Sequence, residues 1–102
     1  MFTRFTPIEK YAGEVIDQAA DFTDVLADGE SVSSGEVKIL DTDSTDVTST
    51  LCPGGASTSG DSVTYRLAAA GTTGLTYHVY ALATLDTGEV LGQCLRMFIP
   101  TP

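Results

Sequence analysis

About six or seven short runs of alternating apolar and polar residues dominate the chain, each closed by Gly, Pro or Asp. That rhythm constrains the fold more than any other feature, because alternation builds half-buried strands and frequent turn signals forbid long helices. Leu75 to Leu85 is the longest run, with Tyr77, Val79, Ala81 and Ala83 on one face. Asp86-Thr87-Gly88 predicts a tight hairpin into Glu89 to Ile99, where Leu91, Leu95, Met97 and Ile99 share a face. Ser62 to Ala70 alternates through Val63, Tyr65 and Leu67. Ser31 to Asp41 carries Val32, Val37 and Ile39, with a bulge expected at Ser33-Ser34-Gly35. Asp46 to Cys52 alternates through Val47, Ser49 and Leu51 and reads as a strand. Segment 14–22 fits both periods in part and is read as a strand. Pro53-Gly54-Gly55 and the Ser- and Gly-rich stretch from Ala56 to Asp61 read as a loop.

Composition agrees with strands. The chain holds 15 Thr and 8 Ser, no Trp and no Asn. Thr, Val and Tyr suit a pleated, half-buried surface. A length of 102 residues provides one domain and one modest core. The 42% hydrophobic content excludes a disordered chain, and no apolar run approaches the ~20 residues of a membrane helix. The N-terminal residues lack the pattern of a secretory signal. A net charge of -9 argues against nucleic acid and against an anionic membrane surface, both of which need a basic face. The expectation is therefore an all-β, immunoglobulin-like or fibronectin-like β-sandwich of about seven strands. Residues 1–13, apolar without a clean period, read as an extended N-terminal arm, and residues 14–102 as the sandwich domain. Tyr77 follows the Gly-rich connection Gly71 to Gly74 and resembles the tyrosine corner of such sandwiches.

Certain strings carry a family resemblance. Asp21-Phe22-Thr23, the turn Leu26-Ala27-Asp28-Gly29-Glu30-Ser31-Val32-Ser33-Ser34 and the strand Val37-Lys38-Ile39 resemble those of small structural proteins of tailed bacteriophages. Gly74-Leu75-Thr76-Tyr77-His78-Val79 is similar to their corner, and Thr87-Gly88-Glu89-Val90-Leu91 to their closing hairpin. The resemblance spans roughly residues 14–99 and departs at Ala19 and Ala20, where the family often carries Trp. It implies a virion component associated with head, neck or tail and no catalytic residues.

Candidate chemistry is sparse. His78 has opposite parity to Tyr77 and Val79 and lacks the nucleophile and orienting acid of a catalytic site. Asp41, Asp43 and Asp46 offer half a calcium loop without its Gly and distal Glu, so a self-capped turn is the default. No cofactor and no metal is expected. Cys52 and Cys94 have opposite parity to the apolar residues of their runs and are expected to face away from the core. With both runs flanking Leu75 to Leu85, about two strand spacings would separate them, too far for an internal bridge. Free thiols or disulfides to neighbouring subunits remain open for both cysteines.

The outward face of the last hairpin holds Tyr80, Leu82, Val90, Cys94 and Phe98, an apolar strip of the kind that marks an interaction surface. The arm adds Phe2, Phe5, Ile8 and Tyr11, which cover either their own domain or a neighbour's. The sequence therefore points to a non-enzymatic virion structural protein, in the neck or collar or decorating the capsid, assembled in the host cytoplasm. Its partners would be portal or connector, capsid or tail proteins and copies of itself. A tail or fiber position ranks lower, for want of repeats or heptads. The rival reading is an immunoglobulin-like module that binds a host-surface glycan or protein.

Overall fold

The structure, a computed structural model, describes residues 2–100, with backbone alone for residues 2–7. Seven strands form two sheets. They are β1 (Phe2–Glu9), β2 (Ile16–Asp21), β3 (Val32–Leu40), β4 (Ala56–Ser59), β5 (Ser62–Leu67), β6 (Thr76–Leu85) and β7 (Val90–Phe98). One sheet has the order β1-β7-β6-β3 and the other β2-β5-β4. The β1–β7 pair is parallel, and the other strand pairs are antiparallel. The protein is an all-β sandwich.

The alternation in sequence becomes the alternation in burial. β6 is buried at every second residue from Tyr77 to Leu85. Val37 and Ile39 of β3, Val63 and Leu67 of β5, and Met97 and Ile99 meet its inward face. The sheets approach closely at Gly35, where an added Cβ would lie 2.9 Å from both methyl carbons of Val63. Gly35 also stands beside Ala83 in the ladder, so small residues permit this approach. A register shift between Val32 and Ser34 falls where the Ser33-Ser34-Gly35 interruption predicts a bulge.

Two segments depart from the reading of the sequence. Asp46 to Cys52 is not a strand, because Thr48–Leu51 form one helical turn, α1. Its cause is local. Asp46 Oδ1 accepts hydrogen bonds from Thr48 N–H (2.9 Å) and Thr48 Oγ1 (2.6 Å), and Thr48 Oγ1 accepts one from Ile39 N–H (2.8 Å). Side-chain oxygens thus outcompete the ladder and stitch the turn to β3. Ala56–Ser59 is a strand rather than a loop, closed onto β5 through a turn at Gly60 (φ 59°). Its Ser and Thr side chains lie at the surface and carry no apolar period to reveal the pairing.

Candidate functional site

The outer face of the four-stranded sheet carries most of the predicted contact residues. Tyr80 pairs with Cys94, Leu82 with Gly92, Thr84 with Val90 and Thr76 with Phe98, all at the parity opposite to the core. Val90 is 47% exposed and Phe98 37%, while Tyr80 and Leu82 between them are half-buried. Eight strand steps separate Val90 from Phe98, so the strip is about 27 Å long. Tyr11 is exposed beyond its Phe98 end, where Lys10 N–H donates to the Phe98 carbonyl (3.0 Å). Ile8 is half-buried against the core of its own domain, one of the two placements the sequence left open. The backbone of Phe2 and Phe5 lies in β1, in register with Gly92 and Cys94, and their side chains lie outside the described residues. His78 sits on the outer face beside Tyr80, with ring centroids 6.4 Å apart.

Both cysteines are free and buried. Cys52 does not face away from the core. It follows α1, belongs to the core cluster, and its thiol donates to the Gly55 carbonyl (3.4 Å). The geometry assumed for it also fails, because β6 is flanked by β7 and β3 rather than by the segment holding Cys52. Cys94 keeps its off-core register yet is only 8% exposed. Burial pushes both thiols above their ordinary range. A bridge between subunits would have to start from two shielded, protonated sulfurs.

Tyr77 is buried, and its hydroxyl accepts a hydrogen bond from Thr72 N–H at 2.9 Å. Gly71, at φ 115°, supplies the left-handed backbone the connection needs. The acidic turn is absorbed locally: Asp41 Oδ1 accepts from Asp43 and Thr45 N–H groups (2.9 and 3.0 Å).

Lys10 gave no signal in the sequence. It is fully buried, and its ammonium donates to the carbonyls of Tyr11 (3.0 Å) and Ala70 (3.3 Å). Desolvation lowers its pKa, and nearby Glu14 opposes the shift. It pins the junction between β1 and the connection to β2 onto the β5–β6 crossover.

A second feature missed by the sequence is the outer edge of β2. A cleft of about 200 Å³ opens there between the sheets, lined among others by Ile8, Gln18, Ala20, Tyr65, Ala81 and Gln93. Burial, with the nearby Cys52 and Cys94 thiols, pushes the Tyr65 phenol up to about 12. Gln93 crosses the mouth, its Nε2 donating to the Asp21 carbonyl (2.5 Å). Asp17 and Arg66 form a two-pronged surface pair (2.6 and 3.2 Å), which holds the Asp17 carboxyl below its ordinary range. The short side chains of Ala19 and Ala20, where phage relatives were expected to carry Trp, were the one available signal for the cleft.

The family model described as podophage GP4 fiber-tail adaptor protein gp77 matches residues 10–97. The chain belongs to this family. A search of curated proteins finds no match. Membership makes the chain a bacteriophage virion structural protein. The match begins at the buried Lys10 and leaves Phe2–Glu9 of β1 outside. Among the described residues, no helix is long and apolar enough to cross a membrane.

Proposed function

We propose that the chain is an adaptor that joins tail and fiber, built as an immunoglobulin-like sandwich and acting through protein contacts alone. The observation that carries this reading is the family match over residues 10–97, whose description names that role. The apolar strip from Val90 to Phe98 supplies the kind of surface an adaptor needs. Of the positions on the particle that the sequence leaves open, the junction of tail and fiber is preferred over the neck, collar or capsid surface on the strength of that description.

The immunoglobulin-like assignment draws its support from strand order. A β1-β7-β6-β3 sheet facing a β2-β5-β4 sheet has the crossovers of a Greek-key sandwich, and Tyr77 bonds back to its corner as a tyrosine corner does. Residues 1–13 are retained as a functional arm, since the family match begins at Lys10 and leaves all of β1 outside. Lys10 is the arm's anchor, so a truncation that spares the fold should end before it.

Cryo-EM of the intact particle tests the reading. The expected result is this chain traced between tail and fiber, with particles made without it retaining tails and lacking fibers. Fibers retained on particles without the chain would overturn it.

A further inference from the structure

β2 ends its sheet, with β5 on one side. Even-numbered residues of β2 bond to β5, a pattern continued by Phe22 N–H donating to the Asp61 carbonyl (3.0 Å). The backbone groups of Asp17 and Ala19 therefore point the other way, as does the Asp21 carbonyl that takes the Gln93 amide. Among the described residues, no strand pairs with that side. β2 also runs six residues in continuous register without Pro or a bulge, and its charges are the acidic Asp17 and Asp21, which repel acidic strands and not basic ones. In constant-type immunoglobulin sandwiches the equivalent sheet has a fourth strand at this place.

We infer that this edge accepts an extended, basic segment of another virion protein as an added strand, seating one apolar side chain in the cleft behind it. The commitment to a basic partner comes from charge. No Lys or Arg occurs between Tyr11 and Val37, and Glu14, Asp21 and Asp24 lie along this stretch beside Asp17, whose carboxylate is already paired with Arg66. A second copy of the chain, itself at -9, would bring like charge to the same place. The cleft, about 200 Å³ between Ala20, Ala81 and Tyr65, has room for a side chain of valine or leucine size. Main-chain hydrogen bonds would give affinity, and the cleft and carboxylates selectivity. That the partner is a virion protein rests on the adaptor reading, whereas the site itself does not.

The test uses the full-length, isotopically labelled chain and a blocked hexapeptide in which lysines alternate with valine and threonine. Amide exchange at Asp17 and Ala19 is expected to slow at least about tenfold on saturation, since new hydrogen bonds close those groups. The same peptide with glutamate for lysine should give no protection. Ala19→Pro removes the outward N–H at a tolerated edge position and should abolish the protection, with exchange in β6 unchanged. Ala19→Arg, at an exposed site that needs no backbone change, should weaken binding of the basic peptide several-fold and serves if the proline variant does not fold. Protection absent at Asp17 and Ala19, or equal binding of the acidic peptide, overturns the inference. If particles lacking the chain also lack fibers, that negative result leaves the adaptor reading standing. A protected edge alongside fibered particles would overturn the adaptor reading alone.

Discussion

Replacing Tyr77 by Phe isolates one atom of the fold. The ring remains in the core beside Val79 and Met97, so the packing loss is small. The hydroxyl that accepts Thr72 N–H at 2.9 Å is gone. A donor that loses its partner costs about 1–3 kcal/mol, the lower half applying here because Thr72 lies at the surface and water reaches it in part. About 1.5 kcal/mol is the expected loss, and for a domain of this size that lowers Tm by about 6–12 °C. Urea melts of the two proteins should show a shifted midpoint and an unchanged slope, because the surface exposed on unfolding is the same. Tyr77→Leu should lose roughly a further 2 kcal/mol through the cavity it leaves. A Phe variant within about 0.5 kcal/mol of the parent would refute the idea that this hydrogen bond holds the crossover.

The buried Lys10 gives a prediction with a definite sign. Its folded pKa lies below the ordinary 10.5, so the unfolded chain binds more protons and stability rises as pH climbs toward that value. Lys10→Met should remove this slope and cost about 1–3 kcal/mol at pH 7, because the Tyr11 and Ala70 carbonyls lose their donor; denaturant melts from pH 7 to 10 read both, and an unchanged stability at pH 7 would contradict the tie. Gly35→Ala should cost about 1–3 kcal/mol, because the new methyl meets Val63 at 2.9 Å, and thermal melts of the variant check it. Both thiols should react slowly with an aromatic disulfide reagent in the native protein and at once in denaturant. Fast native labelling of Cys52 would contradict its place in the core.

Much of the sandwich was legible because alternation and burial are one phenomenon seen twice. Tyr77 to Leu85 shows it, with apolar residues at every second position and burial at the same positions. Sequence reading failed where polar groups decide. Asp46 and Thr48 built a helical turn by hydrogen bonding to backbone, a contest invisible to apolar period. β4 hid because its Ala-Ser-Thr-Ser run carries no apolar alternation to mark the pairing. Parity predicted the register of Cys94 and failed for Cys52, since parity has meaning only within a strand. Lys10 was unreadable for a different reason. A lysine reads as solvated, and only the return of Ala70 to within 3.3 Å of its ammonium makes burial tolerable.

An adaptor must hold two partners at once, and that demands two surfaces that do not compete and a body that does not yield between them. The Val90–Phe98 strip lies on the outer face of one sheet, and the β2 edge borders the other. As proposed, they would select by different physics, apolar area on the strip and backbone pairing steered by carboxylates at the edge. The body between them is held where the sheets nearly touch at Gly35 and where Tyr77 ties the crossover. Lys10 adds a third tie, joining the base of β1 to the same crossover through Ala70. A contact at β1 is therefore coupled to the body of the sandwich, through Lys10, through the ladder with β7 and through Ile8, which packs against the core. Net charge fits the proposed division: at -9 the chain favours partners that bring apolar surface to the strip or positive charge to the edge.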